Sequence, residues 1–244
     1  MDSGYYAACA GLSAKTQALE LVANNLANVN TTGYRAHEAT FRSLLAGSLR
    51  TVLNPLNRAI NDFGATGGSR LDLSPGNMEQ TGNPLDLAIE GKGFFVVQRR
   101  DQALYTRNGS FQVSAQGRLI TAEGDPVLGE QGPVLVPSGK VSVGPDGTLS
   151  VDGSVAGKLR IVQFAPDAQL TAAGAAYYSA DKDTPAAVSD SGVRQGMLEA
   201  SNVSGVTAAV SLITVQRHAE MLQRALSAFH TEFNRIAAGE LARV

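Results

Sequence analysis

Tryptophan is absent from this 244-residue chain, cysteine occurs once, and only 6% of the residues are aromatic. The single Cys9 excludes an internal disulfide and leaves the redox compartment open. No apolar run approaches the ~20 residues needed to cross a bilayer, so membrane insertion is not expected. Neither sign of charge is in excess. Twenty Lys and Arg face 22 Asp and Glu, and a net charge of −2 argues against a general binder of nucleic acid or anionic lipid. The opening residues, Met1-Asp2-Ser3-Gly4-Tyr5, lack a basic stretch leading into an apolar one, which predicts no Sec-type signal peptide.

Recognisable chemistry is also scarce. His37, His218 and His230 have no metal-ligand spacing. Asp62-Phe63-Gly64 matches the magnesium tripeptide of kinases, but the glycine-rich loop, strand lysine and catalytic loop that give it meaning are missing. Glu90-Gly91-Lys92-Gly93 lacks the spacing and following hydroxyl of a phosphate loop, and reads as a tight turn into a strand. No Gly-x-Ser-x-Gly elbow and no cysteine–histidine pair appears, and Asp181 and Asp183 lie in turn-like sequence. The expectation is a protein that is not an enzyme and that needs no cofactor or metal.

What is abundant is helical hydrophobic spacing at the ends and turn chemistry between them. All nine prolines fall between Pro55 and Pro185, and most of the 26 glycines lie between Gly64 and Gly205. Near the N-terminus Tyr5, Leu12, Leu19 and Leu26 recur every seven residues. Thr31-Thr32-Gly33 marks the end of that helix, with Gly33 suited to a left-handed C′ position. Asn24, Asn25, Asn28 and Asn30 are unusual in a helix, since asparagine is a poor interior residue. They fit either a solvated helix end or amide pairing between helices that fixes register.

The C-terminal stripe is longer: Ala208, Leu212, Val215, Ala219, Leu222, Leu226, Phe229, Phe233 and Ile236 follow 3–4 spacing. It would run about 43 Å at ~1.5 Å per residue. The helix is expected to start near Ser201-Asn202-Val203-Ser204, where a hydroxyl or amide can cap it. One side of such a helix requires a partner, either the N-terminal helix or the same helices in neighbouring copies.

Between the ends, short β-prone runs alternate with turns. Phe94–Gln98, Leu104–Thr106, Phe111–Val113, Leu119–Thr121, Val141–Val143, Thr148–Val151 and Leu159–Phe164 read as strands. Asn108-Gly109 and Asp146-Gly147 are hairpin signals because both residue types tolerate positive φ. Phe41–Leu53 is partly helical in pattern, Asn61–Pro75 reads as a flexible connection, and 165–192 as a loop-rich continuation. The organisation predicted is an N-terminal helix and Asn-rich motif (1–35), a partly helical or extended connection (36–80), a β-rich domain (81–192) and a C-terminal helix (193–244). The fold class is α+β: a mainly β centre of short antiparallel strands, sandwich- or barrel-like, flanked by helices that pair as a coiled-coil-like region.

Four strings, in order, make the chain resemble the bacterial flagellar axial proteins of rod and hook. They are Ala23-Asn24-Asn25-Leu26-Ala27-Asn28-Val29-Asn30-Thr31-Thr32-Gly33-Tyr34-Arg35, Asn83–Phe95, Tyr105-Thr106-Arg107-Asn108-Gly109-Ser110-Phe111, and Gln195–Val203 with Gln216-Arg217-His218-Ala219-Glu220 beyond it. The family pattern more often has Phe and Lys at 34 and 35, Asp at 108 and Tyr at 219. Length and the lack of a large inserted domain are similar to the rod branch, proximal rod first and distal rod or hook second. A secreted β-rich adhesin or fibre module is the alternative of another class. The resemblance implies a structural subunit of the basal-body rod, exported by the flagellar type III apparatus without a cleaved signal, lying in the periplasmic space and contacting other rod subunits and its own copies. The assembly interface expected comprises Leu12, Leu19, Asn24, Asn25, Leu26 and Asn28 on the first helix. On the second it comprises Leu212, Val215, Leu222, Leu226, Phe229, Phe233 and Ile236.

Overall fold

The computed structural model describes residues 2–41, 66–100, 102–165, 168, 170–174, 176–180, 186–187 and 191–241. Two compact units are present. One contains 1–26, 37–70 and 204–244, and the other 27–36 and 71–203.

The helical unit holds α1 (Asp2–Ala27), α2 (Gly205–Leu241) and a ribbon of β1 (His37–Phe41) and β2 (Thr66–Leu71). Neither helix contains proline, and α2 begins where expected. Ser204 accepts the Thr207 N–H on Oγ at 3.4 Å and the Ala208 N–H on its carbonyl at 2.9 Å, an N-cap that satisfies donors of the first turn. α1 stops earlier than expected. After Ala27 the chain turns, because Asn28 takes the Thr31 N–H on its carbonyl and the Thr31 hydroxyl on Oδ1, both at 3.1 Å. Gly33 is left-handed (φ 69°), as its residue type suggested, but it lies beyond the helix. The helical pattern over Phe41–Leu53 falls outside the described residues, apart from Phe41, which closes β1. Thr66–Leu71, inside the segment expected to be a flexible connection, is strand β2.

The β unit continues with β3 (Met78–Gln80), β4 (Leu87–Glu90), β5 (Phe94–Arg99), β6 (Gln102–Thr106), β7 (Phe111–Val113) and β8 (Leu119–Thr121). Then come β9 (Leu128–Gly129), β10 (Gly132–Pro133), β11 (Val141–Val143), β12 (Thr148–Val151), β13 (Ser154–Lys158) and β14 (Ile161–Gln163). β15 (Leu170–Ala172), β16 (Tyr177–Ala180), β17 (Ala186–Ala187), β18 (Gly192–Gln195) and β19 (Met197–Glu199) complete it. The largest sheet has six strands in the order β15-β16-β6-β5-β14-β17, and its pairs are antiparallel. Smaller antiparallel pairs surround it, among them β18 with β4 and β19 with β3.

β5 explains the core. Its alternate residues face opposite sides of the sheet: Phe95 and Val97 pack with Leu87, Ile89 and Phe111, while Phe94 and Val96 pack with Val162, Phe164 and Tyr178. A strand buried on both faces must be apolar throughout, which is why Phe94-Phe95-Val96-Val97 shows no alternation. Three expectations need correction. Asn108-Gly109 is not a hairpin turn, since β6 pairs with β5 and β16 while β7 pairs with β8. Leu159–Phe164 does supply a core strand, β14, but it is shorter than expected, with Leu159 in an isolated bridge to Gly129. Residues 165–192 include β15, β16 and β17, and β16 lies inside the main sheet. Asp146-Gly147 does turn β11 into β12, and Asp152-Gly153, both at positive φ, turns β12 into β13.

Candidate assembly interface

On α2 Leu212, Val215, Ala219, Leu222 and Leu226 are half-buried along one line, with Ala208 buried at its start and Ala209, Ser211, Glu220 and Ala225 half-buried around it. Phe229, expected to continue it, is exposed, and the side chains of Phe233 and Ile236 lie outside the described residues. On α1 Leu12, Leu19, Val22 and Leu26 are half-buried and Ala18 is buried. Each helix therefore shields one stripe and leaves its other side in solvent, as expected of a 3.6-residue period.

Two of the asparagines make bonds near the end of α1. Asn25 is half-buried, its Nδ2 donating to the His37 carbonyl at 2.8 Å and its Oδ1 accepting the His37 N–H at 2.8 Å. Asn28 organises the turn after the helix, and Asn24 is exposed. Burial holds the half-buried His37 imidazole below its ordinary 6.5.

Inside the β unit lies a charged cluster that the sequence reading did not single out. Glu199 is fully buried between Arg35 and Arg107. Its Oε1 accepts from Arg35 Nη2 at 2.6 Å and from the Gly76 N–H at 2.8 Å, and its Oε2 accepts from Arg107 Nη1 at 3.1 Å. Arg107 also donates to the carbonyls of Ile89 and Gly91, and its guanidinium lies over the Phe94 ring. Two cations share one anion, and Arg35 Nε, Arg35 Nη1 and Arg107 Nε have no acceptor among the described residues. Burial, opposed by Glu199 and helped by Arg35, lowers Arg107 to about 10. The Tyr178 hydroxyl, raised to about 12 by burial, accepts the Arg35 N–H at 2.9 Å. Arg35 uses one of its nitrogens on Glu199, a contact that the lysine more usual in the resembling pattern could also make.

The backbone around this cluster is stitched just as tightly. The Gly33 N–H donates to the Glu199 carbonyl at 2.7 Å. Asn202 Oδ1 accepts the Ala36 N–H at 2.7 Å, while its Nδ2 donates to the carbonyls of Asp72 and Ser74 at 3.0 and 3.1 Å. A Cβ on Gly33 would lie 2.3 Å from the Asn108 nitrogen, and one on Gly109 would lie 1.6 Å from the Leu87 oxygen. The stretch that leaves α1 and the stretch that enters α2 are thus bonded side by side, and residues from all four ordered strings meet at one buried point.

That convergence matches what comparison finds. The family model described as flagella basal body rod protein matches residues 6–35, the flagellar hook protein FlgE/F/G D1 domain matches 88–151, and the flagellar basal body rod FlgEFG protein C-terminal matches 194–237. The flagellar basal-body rod protein FlgF of Caulobacter vibrioides is 33% identical over 252 residues, covering all of both chains. The chain belongs to the flagellar basal-body rod family. FlgG of Agrobacterium fabrum is 34% identical over 243 residues, 90% of this chain and 92% of the relative, and FlgF of Escherichia coli is 34% identical over 93% and 94%. The rod subunit is of FlgF/FlgG type and structural, in a family that is not an enzyme family. Among the described residues no group of three or more His, Cys, Asp or Glu could hold a metal ion, and no helix is long and apolar enough to cross a membrane.

Proposed function

We propose that this rod subunit polymerises through its terminal helices into the tubular shaft that links motor to hook, with α1 and α2 pairing in a coiled-coil-like layer. The observation that carries this reading is the half-buried stripe on each helix within one compact unit, Leu12–Leu19–Leu26 on α1 and Leu212–Val215–Leu222–Leu226 on α2. Stripes of this spacing are covered by another helix in knobs-into-holes packing. Neighbours are other rod subunits and copies of itself, and the subunit reaches the periplasmic rod through the flagellar type III export apparatus. The proximal-rod position is favoured by the full-length match, end to end, to a FlgF protein.

Complementation tests the reading. In a strain lacking the chain, Leu222→Asp places a carboxylate in the stripe. The variant is expected to fold its β unit normally yet be missing from purified basal bodies, and normal recovery of the variant in rods would refute helix-driven assembly.

A further inference from the structure

The chain passes between the two units four times, at 26/27, 36/37, 70/71 and 203/204. On the β-unit side these crossings lead into three stretches, 27–36, 71–77 and 199–203, and the three are tied together. The Gly33 N–H bonds the Glu199 carbonyl and the Asn202 N–H bonds the Tyr34 carbonyl, so 33–36 and 199–202 run parallel, each leading in chain order to the helical unit. The returning stretch is antiparallel to 199–202: Asn202 Nδ2 donates to the Asp72 and Ser74 carbonyls, and the Ala200 N–H to the Asn77 carbonyl. One carboxylate joins all of it to the core. Glu199 Oε1 accepts from Arg35 of the first stretch and from the Gly76 N–H of the second, while Oε2 accepts from Arg107. Arg107 in turn holds the Ile89 and Gly91 carbonyls, where β4 turns into β5. The ion contacts are fully buried, and charge-assisted bonds away from water are stronger than the neutral rungs beside them.

Resting on the rod-subunit reading, we propose that this clasp is a mechanical latch: tension reaching the β unit along the crossing chain is received at Glu199 and passed through Arg107 to β4 and β5. Pulling on the α2 end slides 199–203 past both neighbouring stretches. The rungs on either side lie across that direction, so they are loaded together rather than one after another. Glu199 is the one side chain among them that also grips the core, and separating it from two guanidiniums strands buried charge before water can enter. The latch therefore resists force along one axis, beyond what it contributes to overall stability.

The test pulls full-length chains in a Cys9→Ser background with an optical trap. Handles on Val206→Cys and Val155→Cys, exposed on α2 and β13, load the clasp, and handles on Leu135→Cys and Val155→Cys, both exposed on the β unit, bypass it. Forced opening reads the rate of unfolding along the chosen axis. Glu199→Gln should lower the rupture force by at least about a third on the first axis and by less than about a tenth on the second. Equal fractional losses on both axes, or none on the first, overturn the latch. Should that variant fail to fold, Arg35→Met keeps the Glu199–Arg107 pair and is read on the same axes by the same criteria. Normal rods in a strain lacking the chain would overturn the rod-subunit reading, a result that the pulling comparison cannot produce.

Discussion

Asn25 grips the backbone of His37 with both ends of its amide, donating to the carbonyl and accepting from the N–H at 2.8 Å each. An amide held this way imitates a strand neighbour, so the last turns of α1 fix where β1 begins. Both residues belong to the helical unit. The ribbon is therefore registered on the helix by one side chain twelve residues away.

Removing that grip takes one hydrogen bond each from the part-buried His37 N–H and carbonyl, at about 1–3 kcal/mol. Asn25→Ala is expected to raise hydrogen exchange at the His37 amide and its β1 neighbours while the β unit keeps its protection. Unchanged exchange at His37 would show that the paired amide contributes nothing to local order.

His37 also makes the helical unit sensitive to acid. Its folded-state pKa is depressed by burial, so the unfolded chain takes up the proton first as the pH falls below 6.5. The unfolded state binds more protons in that window, and stability is complete above it and lost on acidification through the folded pKa. Unfolding of the helices followed between about pH 7.5 and 5 should show this slope. His37→Gln should flatten it, and an identical slope in that variant would assign the titration elsewhere.

Glu199 is the anion on which two buried guanidiniums depend. Glu199→Gln leaves both cations without a counter-charge and should cost about 3–5 kcal/mol in urea unfolding of the β unit. Arg35→Lys keeps the contact to Oε1 and removes donors that lack acceptors, so a change under about 1 kcal/mol is expected. A Gln variant as stable as the parent would mean that the cluster is structurally idle.

Two glycines separate conformational strain from collision. At Gly109 a methyl would strike the Leu87 carbonyl, which neighbours the hydrogen bond from the Leu87 N–H to the Gly109 carbonyl. Gly109→Ala should cost at least about 2 kcal/mol. Gly82 is left-handed with open space around its Cβ position, so Gly82→Ala should cost only the backbone term of about 1–2 kcal/mol. A smaller loss at Gly109 than at Gly82 would contradict the close packing of the β4 strand against this turn.

Much of this was written along the chain. The 3–4 spacing through Leu212, Val215, Leu222 and Leu226 survives as a half-buried line because helix geometry maps sequence period directly onto a face. Phe94-Phe95-Val96-Val97 announced a strand, and Asp146-Gly147 its hairpin, because turn chemistry is local. Local signals carry no information about partners, however. Asn108-Gly109 looked like a hairpin turn, and only the pairing of β6 with β5 and β16, and of β7 with β8, reveals that it bridges two sheets, its glycine required by the Leu87 carbonyl. β16 was hidden because only Tyr177 and Tyr178 favour a strand within an alanine- and serine-rich stretch, and its neighbours in the sheet complete it. The charged cluster was hidden for the same reason. Arg35, Arg107 and Glu199 are far apart in sequence, and a buried ion triad exists only once the fold carries them out of water together. The sequence by itself determined the helical faces, the apolar strand and the family; the tertiary structure decided which strands pair and which charges meet, because pairing and burial are properties of neighbours and not of spacing.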